Sequence, residues 1–175
     1  MSMSLPQSTL MKYAGPVFVE TGTNNGDCVA LALNCGFSKV VSIELSEHYY
    51  RMAADRFAGD PRVTILHGDS GQLLADAIRD IDEPIVFWLD GHGVPGLVQT
   101  ASGVCPVLEE IAAIGTHHMK THTILVDDVS CFNSPVFDEI TLDQVKQAIL
   151  AINPAYQFRF DHGKTERDVL AAVVP

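Results

Sequence analysis

A short glycine-containing loop between an apolar segment and a helix-like segment constrains the fold of this chain more than any other feature. Residues 17–19 are Val-Phe-Val, and residues 20–26 read Glu-Thr-Gly-Thr-Asn-Asn-Gly. Residues 27–33 have the composition of a helix. Glycine allows the sharp turn and the close ligand approach that such loops need, and the helix after the loop begins with free N–H groups. This order predicts the start of a nucleotide-binding βαβ unit.

Beyond this loop, the chain alternates between strand-like and helix-like segments. Apolar segments predict seven strands, at residues 16–20, 39–44, 62–67, 84–89, 123–126, 156–160 and 169–174. Apolar residues at helical spacing predict helices at residues 27–35, 46–57, 71–80, 106–115 and 141–152. The last two strands are joined by a short polar turn, which predicts an antiparallel hairpin. The pattern predicts an α/β fold, a doubly wound, mostly parallel seven-stranded sheet with an antiparallel C-terminal hairpin strand.

The chain length of 175 residues predicts one domain over residues 1–175. Residues 7–14 read as a short helix, and we expect the segment 1–14 to act as a lid. No apolar run reaches the ~18 residues that cross a bilayer, and residues 1–6 lack the basic and apolar parts of a signal peptide. We therefore expect a cytoplasmic protein with no membrane partner.

The charge of the chain bears on its partners. The formal net charge is −11, and the 11 lysines and arginines are scattered. Such a chain repels nucleic-acid phosphates unless it carries a local basic patch, which favours a small-molecule substrate over nucleic acid. The four cysteines lack C-x-x-C spacing and are expected to be reduced, so we expect no structural zinc site.

Acidic residues stand at the ends of the predicted parallel strands. Glu20, Glu44, Asp90 and Asp127 end the first, second, fourth and fifth strands, and Asp69 follows the third. Because ligands of such sheets bind at the carboxyl ends of the strands, we expect these acids to share one rim. For any single position, ordinary turn chemistry is an open alternative, since turns favour aspartate.

Two of these acids have the spacing or the neighbours of nucleoside ligands. Glu44 lies 22 residues after Gly22, near the ~20 expected for an acid that binds ribose. A carboxylate suits a ribose diol because it accepts two hydrogen bonds. Asp69 and Ser70 are placed to contact an adenine amine, and capping of the next helix by Asp69 is the open alternative.

Residues 20–26 resemble the E-x-G-x-G-x-G loop of class I S-adenosylmethionine-dependent methyltransferases, with Asn24 in place of the middle glycine. The later acids match the family in order, with Glu44 at the ribose position, residues 68–70 at the adenine position and Asp90 after the fourth strand. The C-terminal hairpin strand is also a family trait. The resemblance covers nearly the whole chain and implies that S-adenosylmethionine is bound by Glu20, Gly22, Thr23, Asn24, Gly26, Glu44, Leu45, Asp69, Ser70 and Asp90.

A second, narrower resemblance concerns a metal. Asp90-Gly91-His92 and Asp127-Asp128 resemble the ligands of catechol-type O-methyltransferases, with Asp128 in place of an asparagine. This implies Mg²⁺ on Asp90, Asp127 and Asp128, which suits its preference for oxygen ligands and offsets carboxylate repulsion. In the alternative, Asp127 and Asp128 cap a loop, and Asp90 holds the cofactor or orders residues 91–104.

The metal resemblance implies a chemistry. A cation lowers the pKa of a substrate hydroxyl, a base removes the proton, and the oxygen attacks the sulfonium methyl group. His92, with Asp90 beside it, is the predicted catalytic base, because histidine titrates near neutral pH. Catechol-type enzymes place a lysine nearby, and the sequence has none in this stretch.

Three functions are compatible with the sequence. The resemblance favours methyl transfer to a small molecule, on a hydroxyl group. The alternatives are a non-catalytic module that binds a nucleoside or S-adenosylmethionine, and a nicotinamide-dependent oxidoreductase, whose G-x-G-x-x-G loop would need glycine at the position of Asp27. The short chain predicts that a homodimer covers the substrate, or that residues 91–104 and the N-terminal segment close over it.

A group of histidines precedes the fifth predicted strand. His117, His118 and His122 would suit a transition metal by residue type. An ordinary polar loop is the favoured reading, because no acid that could complete the ligand set is close in sequence.

Overall fold

A computed structural model describes residues 5–93 and 103–175 of the chain. Within these ranges, seven strands form one sheet: β1 (Val17–Thr21), β2 (Lys39–Glu44), β3 (Val63–His67), β4 (Ile85–Leu89), β5 (Thr123–Val126), β6 (Gln157–Asp161) and β7 (Val169–Val173). The same ranges contain six α-helices: α1 (Gln7–Leu10), α2 (Asp27–Asn34), α3 (Glu47–Arg56), α4 (Ser70–Ile78), α5 (Val107–Thr116) and α6 (Leu142–Ile152). Among the residues described, no helix combines the length and apolar character needed to cross a membrane.

The strands follow the order β3-β2-β1-β4-β5-β7-β6. Strands β1 to β5 pair in parallel, and β7 runs antiparallel to both β5 and β6. This confirms the predicted doubly wound, mostly parallel sheet with an antiparallel C-terminal hairpin strand. The chain order reverses between β1 and β4, so their carboxyl ends flank the crevice where such sheets bind ligands.

Two apolar cores lie on opposite faces of the sheet, because alternate strand residues point to opposite sides. Val17 and Val19 of β1 belong to the core that includes α4, α5 and α6. Phe18 of β1 and Trp88 of β4 belong to the core that includes α2. Every residue of β1 and β4 is buried, as expected for central strands covered on both faces. The two strands that flank the crevice are therefore held firmly.

The N-terminal segment is part of the second core. The helix expected at residues 7–14 is present as α1 and a 3₁₀ helix over Met11–Tyr13, and Leu10 is fully buried. The Thr9 hydroxyl donates a hydrogen bond of 2.8 Å to the carbonyl oxygen of His162 in the β6–β7 turn. The lid role of this segment stays a prediction, and most of the second expected lid, residues 91–104, lies outside the described residues.

Two of the three neighbouring histidines form a buried hydrogen-bonded chain. The Ile85 N–H donates to Nδ1 of His122 (3.1 Å), so the proton of His122 is on Nε2, which donates to Nδ1 of His117 (2.9 Å). Nε2 of His117 then donates to the Ile81 carbonyl oxygen (2.9 Å). Residues 117–122 form the loop that was expected before β5, but His117 and His122 are buried in it. Their ring nitrogens already have partners, so the pair is not open to a metal. Burial, with the neighbouring cationic groups, lowers the pKa of His122 to about 4.

The burial of His122 makes stability depend on pH. In the unfolded chain His122 binds a proton below its ordinary pKa of 6.5, whereas in the folded chain it does so only near pH 4. Stability should therefore fall as the pH decreases through this window. In His122→Asn, an amide oxygen can replace Nδ1 as the acceptor for Ile85 and does not titrate. Between about pH 7 and pH 4, we expect the wild type to lose about 2 kcal/mol relative to this variant in urea unfolding. A difference that stays constant with pH would contradict the network.

Candidate functional site

The glycine loop lies against the end of β4, across the crevice. Gly22 has a φ of +83°, and a Cβ there would lie 2.3 Å from the Asp90 carbonyl oxygen. A Cβ on Gly26 (φ +76°) would lie 2.6 Å from the Phe57 ring. Asn24, at the place of the middle glycine of the family loop, has a φ of +50°. Asparagine tolerates this left-handed conformation better than most residues, which explains how the loop keeps its shape without that glycine.

Glu44 ties the glycine loop to the end of β2. Its carboxylate accepts one hydrogen bond from the Asn24 N–H and one from the Ser46 N–H, both of 2.8 Å. The side chain is 7% exposed. Carboxylate oxygens accept more than one hydrogen bond each, so Glu44 retains acceptor capacity at the crevice. Glu44 therefore lies beside the glycine loop, and its binding of a ribose stays a prediction.

Glu20 lies below the rim. It is 1% exposed, and its carboxylate accepts a 2.6 Å hydrogen bond from the Ser42 hydroxyl. The Thr23 hydroxyl lies 2.6 Å from the Ser42 oxygen, so a chain of hydroxyl groups connects the loop to Glu20. Burial raises the pKa of Glu20 to about 8, although the Ser42 hydrogen bond opposes the shift. Glu20 thus supports the loop from inside, and direct contact with the cofactor stays a prediction.

Asp69 and Ser70 begin α4 at the same rim. The Asp69 carboxylate accepts a 3.0 Å hydrogen bond from the Gly71 N–H, so the capping role considered as an alternative is present. The Ser70 hydroxyl donates to Glu110 at 2.5 Å. Leu45, the remaining predicted cofactor contact, follows β2, and its carbonyl oxygen lies 3.2 Å from the His67 ring.

Glu110 of α5 is a site residue that the sequence analysis missed. It is 1% exposed, and burial raises its pKa to about 7 against the hydrogen bond from Ser70. A Cβ on Gly91 would lie 2.6 Å from its carboxylate, so Glu110 lies directly against the start of the loop after β4. Its spacing from Val107, Ile111 and Ile114 could have indicated it, because this spacing puts Glu110 on the apolar face of α5. Charged residues are rarely buried unless they have a partner.

His92 bridges two of the predicted metal ligands. Its Nε2 lies 2.8 Å from Asp128 Oδ2 and 3.2 Å from Asp90 Oδ1. Burial alone would lower the pKa of His92, but the contacts with Asp128 and Asp90 outweigh it and raise the pKa to about 10. In this arrangement His92 carries a positive charge at neutral pH and acts as a counterion. Its predicted role as a base stays a prediction.

A lysine reaches this group from a distant part of the chain. Lys164, in the turn between β6 and β7, places its Nζ 3.1 and 3.2 Å from the two carboxylate oxygens of Asp128. The stretch near Asp90 contains no lysine, but the fold supplies one beside Asp128. The contacts with His92 and Lys164 lower the pKa of the Asp128 carboxyl, although its partial burial opposes this.

Asp127 is a buried acid whose charge is only weakly offset, by the nearby Lys164. It is 2% exposed, and neither of its carboxylate oxygens has a hydrogen-bond partner among the residues that the structure describes. Burial, followed by the charges of Asp90 and Asp128, raises the pKa of Asp127 to about 8. Buried polar groups in native proteins are almost always hydrogen-bonded. An orphaned oxygen donor beside other carboxylates fits a hard cation such as Mg²⁺.

A second acid missed by the sequence analysis lies beside Asp127. Asp168, which directly precedes β7, is 3% exposed and accepts a 3.2 Å hydrogen bond from the Ser130 N–H. Two overlapping groups of ligand atoms result, one from Asp90, His92 and Asp128, the other from Asp127, Asp128 and Asp168. Because β7 is antiparallel, its beginning lies at the rim where the parallel strands end, and the predicted hairpin could have indicated this.

A small cavity of about 10 Å³ adjoins these acids at the ends of β4 and β5. Phe132 and Phe137 contribute an apolar wall, and their rings lie 5.1 Å apart in an edge-to-face arrangement. His92, Glu110 and Asp127 contribute polar atoms. This cavity beside the crevice therefore combines an apolar surface with two acids and the His92 imidazole.

Comparison with known proteins identifies the fold. The chain is similar to the O-methyltransferase of Bacillus cereus in complex with S-adenosylhomocysteine (19% identity, 97% of this chain, 78% of that chain, TM-score 0.63). It is also similar to the O-methyltransferase TomG of Streptomyces achromogenes in complex with S-adenosylmethionine (15%, 97%, 78%, 0.61). A third similar structure is an S-adenosylmethionine-bound amino pentose methyltransferase of Micromonospora echinaspora (11%, 95%, 86%, 0.59). No protein-family model and no curated protein sequence matches the chain.

At these identities the likeness establishes the fold, which is that of the class I methyltransferases. The family resemblance of the sequence predicted the same fold. Glu44 and the glycine loop lie together at the crevice of this fold, with Asp69 and Asp90 at the same end of the sheet.

The contact between the glycine loop and Asp90 is testable with a matched pair of glycines. Gly36 has a φ of +93°, and a Cβ there would meet no described atom within 4 Å, whereas a Cβ on Gly22 would meet the Asp90 oxygen at 2.3 Å. We expect Gly36→Ala to lower the free energy of unfolding by about 1–2 kcal/mol through backbone strain alone. Gly22→Ala should cost at least about 2 kcal/mol more, because the loop must also move. Equal losses for the two variants in urea unfolding would show that the close contact is absent.

Proposed function

We propose that this chain transfers the methyl group of S-adenosylmethionine to a hydroxyl group of a small molecule. The observation that carries the proposal is the position of Glu44 and the glycine loop at the crevice of a class I methyltransferase fold. Two of the similar structures are O-methyltransferases with S-adenosylmethionine or S-adenosylhomocysteine bound. The excess of acids over bases in this chain supports a small acceptor over a nucleic acid.

In this proposal, each part of the rim binds one part of the cofactor. The backbone of the loop over residues 22–26 passes close to the cofactor, since its glycines leave room for it. The Glu44 carboxylate accepts hydrogen bonds from the ribose hydroxyls. Asp69 and Ser70 lie at the adenine end, and Asp90 lies on the far side of the crevice. Fixing the donor in this way supplies much of the rate acceleration, because in-line attack depends on orientation.

The proposal includes a divalent cation beside the acceptor. Asp90, Asp127 and Asp128 would hold it, and the unpartnered oxygens of buried Asp127 support this placement. A bound cation of this kind lowers the pKa of a hydroxyl group that it contacts. The apolar wall of Phe132 and Phe137 would face the body of the acceptor.

The cofactor site is tested by a pair of glutamates close in sequence. Glu44→Gln removes the negative charge and one acceptor atom, so we expect S-adenosylmethionine to bind about 10-fold or more weakly in isothermal titration. Glu47→Gln is the control, because Glu47 is exposed and pairs only with Arg51 among the described residues. It should bind the cofactor as the wild type does. If the wild type binds neither S-adenosylmethionine nor its demethylated product, the proposal fails.

The reaction itself is tested by transfer of a labelled methyl group to a set of small hydroxylated acceptors, catechols included. We expect labelled product from at least one acceptor, and clearly less of it from Glu44→Gln at cofactor concentrations that only just saturate the wild type. Cofactor binding without transfer to any acceptor would favour the non-catalytic binding module. Binding of NADH in its place would favour the oxidoreductase.

A further inference from the structure

We infer that Asp168 is a ligand of the divalent cation, together with Asp127 and Asp128. The inference rests on the proposed function for the neighbourhood of the cation, and it adds a carboxylate that the resemblance to catechol-type enzymes does not supply. Asp168 comes from the beginning of β7, whereas Asp127 and Asp128 follow β5. The antiparallel pairing of Val126 in β5 with Leu170 in β7 brings the two chain segments together.

The spacing of the three carboxylates suits one cation. One oxygen of each acid lies within 4.8 Å of the corresponding oxygens of the other two. Two oxygens on opposite sides of a cation are separated by twice the metal–oxygen distance. This separation is about 4.6–5.2 Å for Ca²⁺ and about 4.0–4.2 Å for Mg²⁺. The bound of 4.8 Å lies within the span of Ca²⁺ ligands and above that of Mg²⁺ ligands. The three oxygens therefore suit Ca²⁺ as they stand and Mg²⁺ after a small approach.

Asp127 supplies an independent reason to expect a ligand. It is 2% exposed, and both of its oxygens lack a hydrogen-bond partner among the described residues. Leaving a buried carboxylate unpaired is costly. Gly163 lies directly over this group, since a Cβ there would be 3.3 Å from Asp127 Oδ1 and 3.2 Å from the Asp168 Cβ. The carboxylate is enclosed by the chain, and a cation shared with Asp168 would give it a partner.

The side toward Asp90 is already taken by an imidazole. The Nε2 atom of His92 lies between Asp90 Oδ1 and Asp128 Oδ2, at 3.2 and 2.8 Å. A cation held by Asp127, Asp128 and Asp168 leaves this contact in place, whereas a cation that also bound Asp90 would displace the imidazole. Lys164 is different, because its ammonium group contacts both oxygens of Asp128. The ammonium group and a divalent cation would compete for that carboxylate.

The test measures metal binding by the full-length chain, with MgCl₂ and CaCl₂ titrated separately by isothermal calorimetry. We expect Asp168→Asn to weaken binding of the preferred cation by at least about 10-fold, as loss of a metal-site carboxylate does. Asp76→Asn is the control, because Asp76 is exposed and lies in α4, and it should bind like the wild type. Unchanged binding of the cation by Asp168→Asn would overturn the inference. If Asp90→Asn lost binding at the same time, the cation would belong to the site of Asp90, Asp127 and Asp128.

A second variant should raise the affinity for the cation. A folding defect would lower that affinity, so a folding defect cannot explain this result. Lys164→Met removes the competing ammonium group, so the cation should bind about 3-fold or more tightly. Equal or weaker binding by Lys164→Met would contradict the inference. These outcomes are distinct from failure of the proposed function. Absence of S-adenosylmethionine binding would refute methyl transfer and leave the metal result standing, whereas loss of the metal result alone would leave cofactor binding standing.

Discussion

Crowding of carboxylates at one end of a parallel sheet is the constraint on which the rest of this structure depends. Glu20, Glu110 and Asp127 are each almost fully buried, and burial raises the pKa of each. Their charges repel one another more strongly inside the protein than they would in water. The fold therefore has to supply a proton, a hydrogen-bond donor or a cation for each of these groups.

The structure meets this requirement in three ways. Hydroxyl groups donate to Glu20 and Glu110, and backbone N–H groups donate to Glu44. The cationic groups of His92 and Lys164 contact Asp128. The carboxylate oxygens of Asp127 have no hydrogen-bond partner among the described residues. Residues kept for function commonly reduce the stability of the fold. The two apolar cores on either side of β1 and β4 offset the cost of burying these acids. We therefore propose that the metal binds at Asp127.

The sequence predicted the framework of the fold well because the relevant signals are local. The glycine loop, the apolar strands and the apolar stripe of the last helix each lie within a few neighbouring residues, and the structure has all of them. The strand ends then placed Glu44 and Asp69 at one rim, as the topology required. Asn24 departs from the family loop, and its positive φ shows why the departure keeps the loop conformation.

The rest of the site depends on contacts between distant parts of the chain. Lys164 lies 36 residues from Asp128, and Glu110 lies 40 residues from Ser70. No local pattern indicates such pairs. Catechol-type enzymes have a lysine in the stretch that corresponds to the one around Asp90. Here the lysine comes from the β6–β7 turn and contacts Asp128. Asp168 was within reach of prediction, since an antiparallel last strand must begin where the parallel strands end. The buried pair of His117 and His122 needed the packing of β4 beside β5, which sequence spacing does not reveal.

A crystal structure with S-adenosylhomocysteine and Mn²⁺ would test the central claim most directly, because anomalous scattering locates the metal while the density locates the nucleoside. We expect the ribose hydroxyls at the Glu44 carboxylate, the adenine beside Asp69, and a metal peak between Asp127 and Asp128. Density for the nucleoside outside the crevice between β1 and β4, or a metal peak away from these aspartates, would contradict the account.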